Sequence, residues 1–472
     1  MTDLLDRLAR RLGPRGFTAD RDAMAPWLVD WRGRMRGRAA ALVSPADRDE
    51  VAFVVAAAAA AGVPVVPQGG NTSMVAGATA DDPDALILSL RRMNAVRRVS
   101  PEDNMLVAEA GTILHDVHVA AEAAGRRFPL SLAAKGSATV GGLVSTNAGG
   151  TQVLRFGPMR ALVLGIEAVL PDGGLFEGLS ALRKDNRGYD LRQLLAGAEG
   201  TLGVITAAAL RLVPAAGSRT VAWVGLATAQ DALVLLRQLE GATGDAIESF
   251  EIVPADALEL VLRHIPGTRA PLARGHRWHV LIEAVAPKGA PPVPLDEAIL
   301  ATGLAEDAVI ATSEAQADAL WRLRESISEA ERIDGMAAKH DIAVPVSAMP
   351  GFMAEARAAV EARFAGVRVI AFGHLGDGNV HFNVRAPAGA DDRAWFAQQG
   401  AVVSAFVHDL VTAAGGTLSA EHGIGRLKRA EFARLADPAR LAAMRAIKNA
   451  LDPGGIMNPG VLVPLAEAPS LS

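Results

Sequence analysis

Cysteine is absent from all 472 residues. That excludes disulfides, thiolate nucleophiles, iron–sulfur clusters and cysteinyl cofactor links at once. Long apolar runs are missing too. The richest, Val51 to Val66, is mostly alanine and valine interrupted by Gly62 and Pro64, so no membrane span is expected. Charge of one sign is scarce: the formal net charge of −5 gives no reason to expect nucleic acid or an acidic membrane surface as a partner. The opening residues carry Asp3 and Asp6 and lack the basic start, apolar centre and cleavage site of a secretory signal. A cytoplasmic protein is expected.

What is present is a chain that is 50% hydrophobic and 21% charged, as folded domains commonly are. Its length exceeds one ordinary core, so two or three domains are expected. Ser44-Pro45 reads as an N-cap followed by proline at the first helical position, and Gly62 as the stop of that helix. Val63–Pro67 is then a short buried strand that leads into Gln68-Gly-Gly-Asn-Thr-Ser. Further strands are expected at Ala85–Leu90, Met105–Ala110, Leu162–Leu170 and Gly203–Leu212. Beyond about Pro214, strand candidates alternate with longer helical stretches such as Asp318–Arg332. That texture suggests an antiparallel sheet with helices on one side.

Three small-residue segments carry binding chemistry. Gly69 and Gly70, followed by Asn71, Thr72 and Ser73, form a turn whose backbone N–H groups can converge on an anion such as a pyrophosphate. The second segment, Lys135–Gly150, adds Gly141 and Gly142, Asn147 and Gly150, with Ser137 and Ser145 nearby. The third, Gly197–Thr206, turns into a strand.

The densest chemistry lies in Ala371–Val384 (AFGHLGDGNVHFNV). Asp377-Gly378 between two strand-like runs is a two-residue hairpin signal. That register places Gly376 opposite Asn379 and His374 opposite His381, with Asn383 on the same face. Two imidazoles so paired suit one metal ion, and Glu421 in Ser-Ala-Glu-His-Gly-Ile-Gly is the best source of a third ligand. The remaining histidines, among them His279 and His340, lack such grouping and are expected to be structural or surface residues. Arg324 and Ser328, four apart on one expected helix, and Lys339 beyond Gly335, could together bind a carboxylate.

The run of GGNT, GG…TNAGG and GAEGTLGVIT resembles the FAD-binding domain of the vanillyl-alcohol oxidase/p-cresol methylhydroxylase superfamily. Leu182–Leu191 (LRKDNRGYDL), GHLGDGNVHFN and EHGIG are similar to its D-2-hydroxyglutarate dehydrogenase branch. Ser73 and Ala76 stand where relatives are expected to have glycine, and Ser328 where threonine is expected. The resemblance implies an α+β protein. The expected parts are a two-subdomain FAD-binding fold over residues 1–215 (core 35–215), an antiparallel-sheet substrate and metal-binding cap over 216–425, and a helical C-terminal segment, 426–472, that returns to the FAD domain.

It further implies FAD held without a covalent bond, since the first loop has no histidine. The residues expected around FAD are Pro67, Gly69, Gly70, Asn71, Thr72, Ser73, Ser137, Gly141, Gly142, Ser145, Asn147, Gly150, Glu199, Gly203, Ile205 and Asn458. By the same resemblance His374, His381 and Glu421 would bind one divalent metal, with zinc favoured and manganese or cobalt admitted by the ligand set. Asn383 would hold a substrate carboxylate, Arg324, Ser328 and Lys339 a second one, and His422 would bind substrate and act as base. The expected substrate is a small dicarboxylic 2-hydroxy acid, D-2-hydroxyglutarate or D-malate, and electrons would leave to an external acceptor such as an electron-transfer flavoprotein. A homodimer is compatible with the sequence. Alternatives are a D-lactate or glycolate dehydrogenase of the same superfamily, a non-catalytic flavin-binding subunit, and a zinc hydrolase built on His374, His381 and Glu421.

Overall fold

The computed structural model describes residues 1–463 apart from positions 181 and 183. Arg183 of the Leu182–Leu191 segment and residues 464–472 of the expected C-terminal segment lie outside the described residues. Contacts divide the chain into two units. The first comprises Met1–Gly150, Gly157–Pro214 and His422–Ser472; the second comprises Thr151–Phe156 and Ala215–Glu421.

The first unit holds two sheets. One has the strand order Phe17–Thr18, Ala41–Val43, Leu86–Ser89, Val65–Gln68, and its last three strands run parallel. The crossover between Ala41–Val43 and Val65–Gln68 is the helix Arg48–Ala61. Its N-cap is Asp47, whose carboxylate accepts from the Glu50 N–H, and not Ser44 as the sequence suggests. Ala46 also donates to the Glu50 carboxylate, so the capping contacts close one turn later than Ser44-Pro45. Gly62 ends the helix with φ 65°, as a C′ glycine does. The second sheet is antiparallel, in the order Val96–Ser100, Met105–Glu109, Val204–Arg211, Val163–Val169, Leu175–Gly178.

The chain's last described stretch extends the first sheet. Val65 donates to Ile456 O, and Asn458 donates to Val65 O, both at 2.8 Å. Lys448 secures the turn from buried surroundings: its Nζ donates to Thr201 O, Met457 O and the Asp452 carboxylate.

The second unit is built on one seven-stranded sheet. In chain order its strands are β1 (Ala216–Leu226), β2 (Ile247–Pro254), β3 (Trp278–Pro287), β4 (Asp307–Ile310), β5 (Ala337–Ala343), β6 (Arg368–His374) and β7 (Asn379–Arg385). Across the sheet they run β4-β1-β3-β2-β6-β7-β5, every pair antiparallel. Helices cover both faces, which corrects the expectation of one. Alternate residues on β1 show why: Ala222 and Val224 join the larger core, while Val221 and Trp223 join a smaller one. The larger core also takes residues from the helices Ala229–Thr243, Met349–Arg363 and Asp392–Ala413. The smaller takes them from Ala255–His264, Glu314–Glu325 and Ile327–Asp334. Strands apolar on both sides have no polar face to leave in water.

Two short segments fall on the other side of the expected boundaries. Thr151–Phe156 belongs to the second unit, where Arg155 pairs with the fully buried Glu248 at 2.6 Å. Residues 422–425 belong to the first, where Ile424 and Gly425 donate to the Glu199 carboxylate at 2.8 and 2.7 Å.

Candidate active site

The glycine segments come together within the first unit. A Cβ on Gly69 would lie 2.3 Å from Thr139 Oγ1, and one on Gly70 would lie 1.9 Å from Ser137 O, so only glycine fits this crossing of backbones. The N–H groups of Gly70, Asn71 and Thr72 find no acceptor among the described residues. Beside them Thr139 Oγ1 is buried and without a partner. Unspent donors and an orphaned hydroxyl in a glycine cradle match what a pyrophosphate needs. Pro67 lies in the strand Val65–Gln68 that delivers this loop, and Gly142 lies beneath it, with its Cβ direction 3.4 Å from Thr139 Oγ1. Gly141 and Gly150 pack directly on the backbones of Ala110 and Ser131.

Several polar residues expected at the cofactor are instead engaged with the protein. Asn147, Glu199 and Asn458, like Asn71, adopt positive φ without being glycine. Asn71 Nδ2 donates to Val29 O, and Asn147 Oδ1 accepts from Arg160 N–H. Asn458 Nδ2 donates to Gly77 O and Glu199 O, which leaves Asn458 Oδ1 buried and unpartnered. Glu199 N–H donates to Ser145 O, and its carboxylate is committed to Ile424 and Gly425. Burial pushes that carboxyl's pKa up, against the pull of the two N–H groups. Ser73 compensates for a missing glycine, because its hydroxyl accepts from Val75 and Gly77 N–H; Ala76 keeps the left-handed φ of 54° that glycine would favour. Gly203 (φ 154°) and Ile205 lead into the strand Val204–Arg211.

In the second unit the polar cluster lies on the face of the smaller core. The observed hairpin register pairs His374 with Asn379 and Phe372 with His381, which corrects the sequence reading by two residues. The loop has four residues, 375–378, because Gly378 N–H reaches back to His374 O and Asp377 Oδ1 accepts from Asn379 N–H. A shift of two preserves the face. His374 and His381 are therefore diagonal neighbours, with ring centroids 5.5 Å apart at 77°. Their ring nitrogens and a Glu421 carboxylate oxygen all lie within 4.8 Å of one another. Two imidazoles and a carboxylate at this spacing suit a zinc-like cation and leave coordination positions open. The site belongs to three strands: Glu421 is held by its own N–H donating to Asp341 Oδ2, and Asp341 on β5 pairs with His381 on β7.

Sequence reasoning missed Glu251. It is 1% exposed on β2, a strand that was not foreseen, and it pairs in register with His374. Its Oε1 accepts from His374 Nδ1 at 2.6 Å, while its Oε2 accepts from Arg324 Nε at 2.9 Å and is ion-paired with Nη2 at 2.8 Å. Burial alone would raise the Glu251 pKa, but the His374 and Arg324 charges outweigh it and bring the pKa down to about 2. Burial alone would lower the His374 pKa; Glu251 outweighs it and lifts it to about 9. Glu421 is raised to about 7 by burial, with Asp341 and Asp377 adding to the effect against the attraction of His374. The signal available in the sequence was Ile247–Pro254, a β-branched and aromatic run that carries two carboxylates into a core.

The second-carboxylate group is only partly assembled. The expected helix over Arg324 and Ser328 breaks at Ser326, between Glu314–Glu325 and Ile327–Asp334. Arg324 is buried and stacked 4.8 Å over Phe372, whereas Ser328 is exposed, so the two do not share a face. Lys339 and Asn383 do meet as a register pair between β5 and β7, on the histidine face. Both address the buried Glu331, which accepts from Asn383 Nδ2 at 2.7 Å and lies 3.6 Å from Lys339 Nζ. Burial pushes the Glu331 carboxyl's pKa up, against Lys339 and Asn383. His422 is half-buried in the bend that follows Glu421.

Two sheets with a shared glycine cradle, together with an antiparallel unit, define the fold of the FAD-linked oxidases. Solved structures show the same fold at low identity. These include an alkyldihydroxyacetonephosphate synthase (TM-score 0.73, 15% identity, 97% of this chain and 86% of that one) and the 4-ethylphenol oxidase of Gulosibacter chungangensis (0.69, 16%, 97% and 96%). Residues 39–178 match the family described as FAD binding domain, and residues 216–462 the family described as FAD linked oxidases, C-terminal domain. The chain is 36% identical over 458 residues to the mitochondrial D-2-hydroxyglutarate dehydrogenase of Bos taurus, covering 96% of this chain and 82% of that protein. It is 38% identical over 446 residues to the D-2-hydroxyglutarate dehydrogenase of Xanthomonas citri pv. viticola, covering 93% of each. The chain belongs to the FAD-linked oxidase family, in its D-2-hydroxyglutarate dehydrogenase branch, and is an FAD-dependent hydroxy-acid dehydrogenase.

Proposed function

We propose that this enzyme oxidises D-2-hydroxyglutarate, and more slowly D-malate, to the 2-oxo acid with the help of one divalent cation, zinc by its donor set. The observation that carries the reading is the convergence of His374, His381 and Glu421 on one face, with Asn383 two residues beyond His381 and Lys339 across from it.

FAD held by the glycine cradle supplies the acceptor for the C2 hydride, and a cation held by His374, His381 and Glu421 supplies Lewis acidity at the C2 hydroxyl. The chain's own residues do the rest. Asn383 orients the α-carboxylate through its amide, which Glu331 fixes. Lys339 and the N–H groups of Arg324 not turned to Glu251 hold the second carboxylate. His422 receives the proton of the C2 hydroxyl as the hydride departs. The reduced enzyme passes its electrons to an external acceptor, because no cysteine is present to hold a cluster. An electron-transfer flavoprotein fits that role.

Anaerobic titration of the purified enzyme with D-2-hydroxyglutarate, D-malate and D-lactate, with and without chelator, tests the reading. Bleaching of the flavin band by the dicarboxylates at lower concentration than by D-lactate, and its suppression by chelator, are expected. Equal response to all three acids would remove the second-carboxylate pocket. Indifference to chelator would remove the cation.

A further inference from the structure

We infer that Glu251 is a positioning residue that sets the tautomer of His374, and that it thereby decides whether the site can take a cation. This rests on the metal reading above.

A histidine ligates a metal through a ring nitrogen that carries no proton, so the proton must be on the other nitrogen. His374 Nδ1 lies 2.6 Å from Glu251 Oε1. A carboxylate can only accept there, so Nδ1 must carry the proton. When the ring gives up its second proton to bind a cation, it gives up the one on Nε2, because Nδ1–H stays on Glu251. The carboxylate itself cannot turn away. Glu251 lies at a register position beside His374 on a central strand, and its second oxygen accepts from Arg324 Nε and is ion-paired with Nη2 at 2.8 Å. Arg324 is in turn 8% exposed and stacked on Phe372. One buried carboxylate thus has one oxygen for the arginine and one for the histidine.

The two oxygens make Glu251→Gln informative. Glutamine has a single acceptor, and the charged Arg324 Nε–H claims it. Its NH₂ then faces His374 Nδ1 and donates to it, which moves the histidine's proton to Nε2 and blocks the ligating atom. The volume and the arginine contact remain. A residue needed only for packing would tolerate that change.

The test measures Zn²⁺ affinity of the FAD-loaded full chain by competition with a chromogenic chelator. Glu251→Gln is expected to bind zinc about 10–100-fold more weakly than the wild type while its flavin absorbance is unchanged. In a His374→Ala background the same substitution is expected to cost nothing further, because Glu251 acts only through His374. An unchanged zinc affinity in Glu251→Gln, or an equal loss in both backgrounds, would overturn the proposal. Should Glu251→Gln fail to fold, ¹⁵N-histidine spectra of the wild type, with His374→Gln as the assignment control, still decide it. In the zinc-loaded protein, a protonated Nδ1 with the metal on Nε2 supports the assignment, and a protonated Nε2 with the metal on Nδ1 overturns it. A wild type that takes up no zinc at all would overturn the metal reading itself, which is a result distinct from a normal wild type with an unaffected variant.

Discussion

Three residues of this site differ in what their removal should reveal. His422→Ala is expected to lower kcat by about 10²–10⁴ while FAD stays bound, since the residue moves a proton and belongs to none of the cradle contacts; rapid-mixing reduction of the flavin by D-2-hydroxyglutarate reads it. Lys339→Met removes a charged partner from the second carboxylate. The KM for D-2-hydroxyglutarate should rise about 10–100-fold, as loss of a charge-assisted contact of about 1.5–3 kcal/mol requires, while D-lactate changes little. Arg324→Ala is a poorer probe of specificity. Truncation leaves the Glu251 oxygen that faced Arg324 buried without its cation while the other stays on His374, a defect of the kind that costs about 3–5 kcal/mol and should appear as a lowered denaturation midpoint. Three basic side chains of one site therefore separate by what lies beside them.

At the scale of elements, the seven-stranded sheet explains both the site and an acid sensitivity. Strands β2, β5, β6 and β7 each contribute alternate residues to one face, so Glu251, Asp341, His374, His381 and Asn383 gather there. Next to β2, β3 carries His279, whose Nδ1 accepts from Trp223 Nε1 at 3.1 Å in the smaller core. Burial, joined by the neighbouring His276, lowers its pKa from 6.5 to about 4. A depressed histidine is neutral in the folded protein while the unfolded chain already protonates. Its contribution is therefore complete above pH 6.5 and is lost as the pH falls from 6.5 towards 4, to a total of about 3 kcal/mol. Urea unfolding at pH 7 and pH 4.5 should show the wild type losing stability, and His279→Gln, which keeps an acceptor but cannot titrate, losing less. Equal losses would place the acid sensitivity elsewhere.

In the molecule as a whole, the residues proposed to hold FAD and the cation fall in different units. The glycine cradle, with Thr139 and Asn458, belongs to the first, and the ligand atoms of His374, His381 and Glu421 belong to the second. The groups should therefore load independently. Dialysis against a strong chelator is expected to abolish turnover with 2-hydroxy acids, leave the flavin spectrum intact, and be reversed by added zinc. Release of FAD along with the metal would show the loading to be coupled. The chain crosses from one unit to the other between Glu421 and His422.

Much of this was written in local chemistry. Absent cysteine, the glycine loops with their short polar neighbours, Gly62 ending a helix, and the histidine–glutamate set are properties of residue type and spacing, and no distant contact is needed to read them. Alternation along β6 and β7 likewise fixed which side chains share a face, because a strand's period of two survives a shift of register by two. The four-residue loop, the break at Ser326, helices on both faces of the sheet, and the engagement of Glu199 with Ile424 and Gly425 were decided by tertiary packing. So was Glu251, 123 positions from the histidine it orients. Hydrogen bonds between residues so far apart in sequence leave no periodic trace, and only the folded sheet makes them neighbours.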